Sequence, residues 1–319
     1  MSTTLPDSSP AHPPKVSVVI ATRERPVLLQ RAIRRVMEQR YDGPIEVVIV
    51  FDQSEPHPID VEIPEGRELR VITNHRSPGL AGARNSGVLA TTGELVALCD
   101  DDDEWLPEKL SRQVAALAAA APTAVDRGAE VATSGIFVCY EDRQTPRVYP
   151  SDRITLSDLL RSRVMEAHPS TVVVTRAAFD RIGFVDEHIP GSYAEDYEWL
   201  LRAARETGIL AIREPLVNVH WHQSSWFSDR WKMIVDALTY LLEKVPEFQG
   251  DKPGLARIYG QIALAHAASG ERRLARTWAR RTIALQWRER RAYVALLISA
   301  RLVRVETVQR LAHAAGKGL

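Results

Sequence analysis

The 319-residue sequence has two cysteines, no excess of either charge and no long apolar run. Cys99 and Cys139 lie in apolar, strand-like surroundings, which argues against a disulfide scaffold and predicts core thiols in a reducing cytoplasm. No apolar run approaches the roughly 18 residues of a membrane-spanning helix, so we predict a soluble or at most peripheral protein. The 41 basic residues balance the 41 acidic ones, which argues against a general nucleic-acid binder.

The composition predicts an ordinary globular core. Hydrophobic residues make up 45% of the chain, and its length indicates one large domain with a smaller appendage. Residues 1–14 are rich in proline, serine and threonine and lack the apolar core of a signal peptide. We expect this segment to be a disordered tail.

Apolar runs alternate with helical patterns through the first hundred residues. Buried strands are predicted at Val16–Ala21, Ile45–Phe51, Leu69–Thr73 and Leu95–Cys99. Helices predicted after Pro26 and near Ala81 imply right-handed crossovers and a largely parallel sheet. Thr22, Asp52 and the run Asp100–Asp103 follow three of these strands. Because ligands bind at the carboxyl ends of such strands, we predict one cleft there.

Four consecutive aspartates, Asp100–Asp103, are the strongest chemical signal in the chain. Carboxylates this close repel one another unless a cation or solvent neutralises them, and oxygen ligands suit Mg²⁺ or Mn²⁺. The alternative is a solvated acidic loop that caps the helix opened by Pro107. If the run does bind a cation, we expect Asp103 to cap that helix instead of binding the ion.

Three further segments carry candidate site residues. The turn Ser77–Gly87 permits close approach of the backbone to an anion, or else serves helix packing, and it matches neither a dinucleotide fingerprint nor a P-loop. Glu195 and Asp196 fall near the start of a predicted helix, where acids are also favoured by the helix dipole. In the predicted strand Val217–Gln223, histidines 220 and 222 share one face and are a plausible ligand pair.

Taken in order, these segments resemble the family 2 glycosyltransferases, the inverting enzymes of the GT-A fold. The matching segments are VSVVIATRERP, IEVVIVFDQS, GLAGARNSG, GELVALCDDDDEWLPEKL, GFVDE, AEDYEWLLRA and VHWHQSS, which span about residues 15–225. The resemblance implies an α/β protein of GT-A type, with a mostly parallel central sheet flanked by helices. Residues 15–105 would form the nucleotide-binding half and 106–228 the acceptor half, followed by an appended α-helical C-terminal region, 229–319.

The resemblance also implies roles for individual residues. Asp196 matches the general base, whereas Asp102 and His222 match ligands of a bound Mn²⁺ or Mg²⁺. The residues implied in binding the nucleotide donor are Ala21, Thr22, Arg23, Asp52, Arg84, Asp100 and Asp101. The reaction implied is transfer of a sugar from a nucleotide-diphosphate donor to an acceptor hydroxyl.

Two departures from the family pattern leave the donor open between UDP- and dTDP-sugars. Phe51 and Gln53 flank Asp52 where an aspartate and a glycine are common, and Arg23 replaces a frequent aromatic residue. The acceptor is open among cell-surface polysaccharide, a lipid-linked glycan and a small natural product. A sugar-phosphate nucleotidyltransferase is the alternative enzyme, but Thr22–Pro26 lacks the glycine-rich loop it needs. A non-catalytic nucleotide-sugar-binding module is a third reading.

The last third of the chain is predicted to be helical. Residues 255–269 and 271–285, separated by Gly270, are typical of an antiparallel helical hairpin. Eight arginines fall between Arg272 and Arg291, against one acid, Glu289. This pattern fits a solvated face, a homodimer or partner surface, or a patch for anionic lipid. We therefore predict a cytoplasmic protein, with possible peripheral contact at the inner membrane face.

Overall fold

In a computed structural model, residues 12–121, 128–221 and 230–314 are described, and they form a mixed sheet with helices on both faces. The strands among these residues are β1 (Val16–Thr22), β2 (Ile45–Phe51), β3 (Arg67–Thr73), β4 (Leu95–Asp100), β5 (Glu104–Trp105), β6 (Ala129–Tyr140), β7 (Arg143–Arg147), β8 (Arg153–Ile154), β9 (Val173–Thr175) and β10 (Gly208–His220). The α-helices are α1 (Pro26–Met37), α2 (Leu80–Leu89), α3 (Lys109–Ala119), α4 (Leu156–Arg161), α5 (Arg176–Ile182), α6 (Glu195–Glu206), α7 (Trp231–Lys244), α8 (Lys252–Ala268), α9 (Arg272–Leu285), α10 (Arg290–Ser299) and α11 (Val305–Ala314).

The predicted parallel arrangement holds for the first half of the sheet. The strand order is β3-β2-β1-β4-β9-β6-β10-β5, and β3, β2, β1 and β4 all run parallel. β9 is antiparallel to β4 because the chain reaches it at the carboxyl end of β4, where Ser170 Oγ accepts a hydrogen bond from the Asp100 amide. The second half is therefore mixed, with β6 and β10 parallel and β5, β7 and β8 pairing antiparallel.

Burial on both faces explains why β1, β2 and β4 are unbroken apolar runs. Along β1, Val19 and Ala21 enter one core and Val18 and Ile20 enter the other, as the period of two in a strand requires. Helices α1 and α3 cover the second core, whereas α2 and α6 belong to the first. β1, β2 and β4 therefore have no solvated face, whereas the edge strand β3 is partly exposed.

The helices after residue 230 are present as predicted, and they do not all sit apart from the sheet. Apolar residues of α7 and α8 share the first core with α6, whereas a smaller cluster rich in alanine joins α8, α9 and α10. The division of the chain at residues 228 and 229 into two units stays a prediction. Within the described residues, no helix is both long and apolar enough to cross a membrane.

Close packing of α2 on the sheet gives a stability prediction. A Cβ on Gly87 would lie 2.3 Å from a Val19 methyl and 2.9 Å from a Val50 methyl. We expect Gly87→Ala to lower the free energy of unfolding by about 1–3 kcal/mol, the usual cost of overpacking. Helix propensity alone would instead raise the free energy of unfolding by about 1 kcal/mol. The sign of the change, measured by urea denaturation, shows which of the two effects dominates.

The matched control is Gly250→Ala, because a Cβ there meets nothing within 4 Å. We expect this change to stay within about 0.5 kcal/mol. A Gly87→Ala variant as stable as the wild type would contradict the close contact between α2 and the sheet.

Candidate active site

Three strands end at the same level and together form the edge on which the site is built. In the parallel ladders Ala21 pairs with Asp100 and Thr22 pairs with Phe51. The Asp52 amide then donates a hydrogen bond to the Thr22 carbonyl at 2.9 Å. The predicted cleft residues at the ends of β1, β2 and β4 are therefore neighbours.

Asp101 and Asp102 are held from the side of β1. Thr22 Oγ1 donates to Asp101 at 2.7 Å, and the Arg25 guanidinium reaches Asp101 at 3.3 Å and Asp102 at 2.9 Å. Burial, followed by repulsion from Asp102 and Asp100, raises the pKa of Asp101 to about 6 despite the Thr22 hydrogen bond. Asp101 is buried, whereas the side chain of Asp102 is 19% exposed and that of Arg25 is 46% exposed.

Asp100 is joined to the start of α6 by one buried guanidinium. Arg84, in α2, donates to Asp100 Oδ1 at 2.6 Å and to Glu195 Oε1 at 2.7 Å. Burial disfavours its charge, but Asp100 and Glu195 outweigh that effect and raise its pKa. Arg84 thus connects the end of β4 with the first turn of α6. The resemblance implies that Arg84 helps to bind the nucleotide donor, and that role stays a prediction.

Asp103 lies beneath the edge in a polar network of its own. It accepts hydrogen bonds from Ser170 Oγ at 2.5 Å and from the His220 amide at 3.3 Å, and His168 Nδ1 lies 3.3 Å away. Burial, then repulsion from Asp100 and Asp102, raises its pKa well above the ordinary range. The prediction that Asp103 caps the next helix is wrong, because the residue at the N-cap of α3 is Glu108.

His168 was not anticipated from the sequence, although Asp100, Asp103 and His168 have ligand atoms that all lie within 4.8 Å of one another. A histidine followed by proline in a loop has no periodic pattern that would reveal its spatial partners. Of the predicted histidine pair, His220 bonds through its ring to Glu104 at 2.9 Å, and His222 lies outside the described residues.

Asp52 fixes the loop that opens α2. Its oxygens accept hydrogen bonds from the Gly79 amide at 3.1 Å, from Asn74 Nδ2 at 2.8 Å and from Gln53 Nε2 at 2.9 Å. A nucleotide base bound here would compete with Gln53, which is exposed. The role of Asp52 in binding the nucleotide donor remains a prediction. Arg23, the other residue in doubt, lies exposed just beyond β1.

The Gly-rich turn and the GFVDE turn, singled out separately in the sequence, contact each other. Glu187 accepts from Asn85 Nδ2 at 2.6 Å and also bonds Ser77 and Arg76. Burial alone would raise the pKa of Glu187, but these donors lower it to about 2. Asn85 also exchanges two hydrogen bonds with the Val185 backbone. This contact fixes α2, and so Arg84, against the segment between α5 and α6.

Asp196 and Glu195 begin α6 but lie in different environments. Arg163 forms an ion pair with Asp196 in which its Nη2 lies 2.9 and 3.0 Å from the two carboxylate oxygens. Burial would raise the pKa of Asp196, but Arg163, with Arg84 and His168, holds it below the ordinary range. For Glu195, burial and the charge of Asp196 raise the pKa to about 7. Asp196 is thus ionised at neutral pH and is partly exposed, whereas Glu195 is buried.

A buried amine lies behind the acidic edge. Lys109 is fully buried, with its Nζ 3.7 Å from the centre of the Trp105 ring. No group among the described residues accepts a hydrogen bond from this amine. Burial lowers its pKa to about 7. The helical pattern around Lys109 contains no feature that predicts an internal lysine.

The sheet order, the level strand ends and the acidic edge fit the GT-A fold that the resemblance implies. The family model described as "Glycosyl transferase family 2" matches residues 17–183, and the chain belongs to this family. The predicted fold and enzyme class are thereby confirmed, in preference to a nucleotidyltransferase.

Two curated bacterial relatives illustrate the sequence similarity. The uncharacterized glycosyltransferase YwdF of Bacillus subtilis is 29% identical over 200 residues, which are 60% of this chain and 69% of YwdF. The Escherichia coli UDP-Glc:alpha-D-GlcNAc-diphosphoundecaprenol beta-1,3-glucosyltransferase WfgD is 23% identical over 219 residues, covering 68% of this chain and 81% of WfgD.

Solved structures share the fold at low sequence identity. TarS 1-349 of S. aureus, in complex with UDP-GlcNAc, has a TM-score of 0.58 and 16% identity, with 95% of this chain and 92% of that chain covered. The mannosyltransferase PcManGT from Pyrobaculum calidifontis, in complex with GDP-Man and Mn²⁺, has a TM-score of 0.50 and 19% identity, with 96% and 81% covered.

The environment of Lys109 predicts a pH-dependent stability. An unfolded lysine keeps its proton up to about pH 10.5, whereas the folded amine loses it near pH 7, so wild-type stability rises between these values. We expect Lys109→Met to be more stable than the wild type by roughly 2–4 kcal/mol at pH 7, with the gain shrinking toward pH 10.5. Urea denaturation across this pH range measures the difference.

The control is Lys232→Met, at an exposed position on α7, for which we expect a change within about 0.5 kcal/mol at every pH. A Lys109→Met variant that is less stable than the wild type at pH 7 would show that the ammonium group is stabilised in the fold.

Proposed function

We propose that the protein is a metal-dependent, inverting glycosyltransferase that moves a sugar from a nucleotide-diphosphate donor to the hydroxyl of a lipid-linked glycan. The observation that carries the proposal is the link from Asp100 through Arg84 to Glu195. It brings the aspartate run, on the donor side, next to Asp196, on the acceptor side. The leaving diphosphate and the attacking hydroxyl can therefore both be bound at one edge of the sheet.

The aspartate run fits a divalent cation, because its carboxylates are ligands that Mg²⁺ and Mn²⁺ prefer. We propose Asp102 as the ligand from this run, together with His222. Asp103 is almost fully buried and already accepts from Ser170 and from the His220 amide, which leaves it poorly placed to share an ion with a diphosphate. Asp102 is more exposed, and its partner Arg25 is a half-exposed cation that an incoming metal ion can replace.

When bound, the cation supplies Lewis-acid stabilisation of the negative charge on the leaving diphosphate. Arg25 stands at the same edge and can turn from the aspartates toward phosphate oxygens. Thr22 and Ala21 line the end of β1, where the nucleoside would lie. These assignments keep the donor-binding set Ala21, Thr22, Arg23, Asp52, Arg84, Asp100 and Asp101 as proposed.

Asp196 is the proposed general base. As the acceptor oxygen bonds to the anomeric carbon, the bond from that carbon to the diphosphate oxygen breaks and its electron pair leaves with the nucleotide. The hydroxyl proton passes to a carboxylate oxygen of Asp196, which Arg163 keeps ionised. The Arg163 side chain is 41% exposed and can yield one carboxylate oxygen to the acceptor. General bases of this kind contribute about 10²–10⁴-fold to the rate.

The names of relatives support the substrates. WfgD is named for UDP-Glc and for a diphosphoundecaprenol acceptor, and a Campylobacter jejuni relative is named as a glucosyltransferase acting on a PP-undecaprenol glycan. We therefore propose a UDP-sugar as donor, with a dTDP-sugar as the alternative, and a lipid-linked acceptor at the cytoplasmic face of the membrane. Nucleotide release from UDP-Glc, UDP-GlcNAc and dTDP-Glc, with and without an undecaprenyl-diphosphate-linked sugar, identifies the donor.

A pair of isosteric variants locates the proposed metal ion. We expect Asp102→Asn to lower Mn²⁺ affinity in the presence of UDP at least about tenfold, because a charged oxygen ligand is lost. Asp103→Asn keeps an oxygen that can accept from Ser170, and we expect it to bind Mn²⁺ nearly as the wild type does. Isothermal titration calorimetry measures both affinities.

The opposite result, with Mn²⁺ binding lost in Asp103→Asn and kept in Asp102→Asn, would move the ion to the group formed by Asp100, Asp103 and His168. Circular dichroism of each variant checks that the fold is retained.

A second variant tests the general base. We expect Asp196→Asn to reduce kcat for sugar transfer by about 10²–10⁴-fold while leaving the dissociation constant of the nucleotide sugar within about threefold of wild type. Glu206→Gln, at an exposed position on the same helix, is the matched control and keeps wild-type kcat. Transfer by Asp196→Asn at a rate close to wild type would remove Asp196 from the role of base.

A further inference from the structure

The charge of the chain is unevenly distributed. Between residues 272 and 304 there are ten arginines and one acid, Glu289, which leaves 31 basic and 40 acidic side chains in the rest of a chain that is neutral overall. Within the described residues, Arg291 is the one member of this set that forms an ion pair, with Glu289. A simple solvated helix face normally mixes both signs at spacings of three and four. The segregated positive charge points to an anionic partner.

Exposed apolar side chains lie within this basic segment. Of the ten large hydrophobic residues that are exposed in the described chain, five belong to residues 274–302. Four of them lie along α10 or just beyond its two ends and are 42–73% exposed: Trp287, Tyr293, Leu297 and Leu302. We call these four residues the α10 apolar row.

Hydrogen bonds hold the α10 apolar row together. The Tyr293 hydroxyl donates to the Trp287 carbonyl at 2.6 Å, which ties the middle of the row to its first residue. Tyr293 and Leu297 are four residues apart on one helix face. At the other end Arg301 adopts φ +62°, and the Leu302 amide donates to the Leu297 carbonyl at 3.0 Å. This turn brings an exposed leucine back to the end of α10 instead of releasing it into solvent.

Exposed arginines flank both ends of the row. Arg288 and Arg290 stand at its start, and Arg301 and Arg304 at its end. The Arg288 guanidinium lies 4.9 Å from the centre of the Trp287 ring. At the other end of the row, Arg276 of α9 donates to the Ser299 carbonyl at 3.3 Å, so α9 adjoins the C-terminal end of α10. Aromatic and leucine side chains between arginines are typical of a helix that lies in the interface of a membrane.

We propose that the α10 apolar row and its flanking arginines form a docking surface for an anionic phospholipid bilayer. The arginines pair with lipid phosphates, and the apolar row enters the boundary between headgroups and acyl chains. Polyanions such as nucleic acid would match the charge but would leave four exposed apolar side chains without a role. A second copy of this chain would set this basic surface against its own charge.

A docking surface for a bilayer would bring the enzyme to a lipid-linked acceptor, and this bearing on catalysis rests on the proposed function. Binding to a bilayer is nevertheless measured without donor or acceptor. A chain that binds vesicles but releases no nucleotide would therefore count against the proposed reaction and leave the docking surface standing.

Vesicle co-sedimentation of the full chain tests the surface. We expect binding to vesicles of phosphatidylcholine mixed with phosphatidylglycerol, weaker binding as salt is raised, and none to phosphatidylcholine alone. The variant Arg288→Gln/Arg304→Gln should bind about 25-fold more weakly, since each arginine near an anionic surface contributes about fivefold. Leu297→Ser/Leu302→Ser should bind about tenfold more weakly because two leucines no longer enter the interface.

The control is Arg143→Gln/Arg213→Gln, which removes two exposed arginines outside the surface and should bind as the wild type does. Equal binding to neutral and anionic vesicles, or binding to neither, would overturn the proposal. So would retention of binding by both surface variants. Dimers in sedimentation velocity that these variants dissociate, without vesicle binding, would show instead that the surface joins two copies of the chain.

Discussion

Four adjacent carboxylates at the end of a buried strand impose the constraint on which the rest of the site depends. Their mutual repulsion has to be compensated locally, and the fold does so from different directions. Asp100 is held by Arg84 from α2, Asp101 by Thr22 from β1, and Asp103 by Ser170 from the segment before β9. Asp102 pairs with a half-exposed arginine. Three distant parts of the chain are thereby fixed against one loop, and the fourth carboxylate faces an exchangeable cation.

The Arg84 side chain also connects elements from distant parts of the chain. Arg84 is buried and bonds both Asp100 and Glu195. Because these three charged side chains come from α2, β4 and α6, a shift of any one of the three elements would break an ion pair. Removing one member would leave buried charge uncompensated, a change that typically costs about 3–5 kcal/mol. The ion pair between Arg84 and Glu195 also fixes the position of Asp196, the next residue in α6. The structural role of Arg84 is thus compatible with the donor-side role implied for it by resemblance.

Much of the fold could be predicted because burial on both faces leaves a strong pattern. β1, β2 and β4 are continuous apolar runs, and the polar residues after them mark the carboxyl edge of the sheet. β7 was missed because it is short and polar, with the sequence RQTPR. The antiparallel entry of β9 depends on where a distant loop meets Asp100, which local sequence does not encode.

In the site, too, local sequence predicts some features, whereas contacts with distant residues determine others. Asp100–Asp103 stand out as a run, but nothing local separates the buried Asp103 from the more exposed Asp102, because Ser170 and His168 are more than sixty residues away. The most direct measurement is anomalous diffraction from crystals grown with Mn²⁺ and UDP. The account predicts a manganese peak beside the Asp102 carboxylate, with the Arg25 side chain moved away from it. A peak between Asp103 and His168, or no peak at this edge, would contradict it.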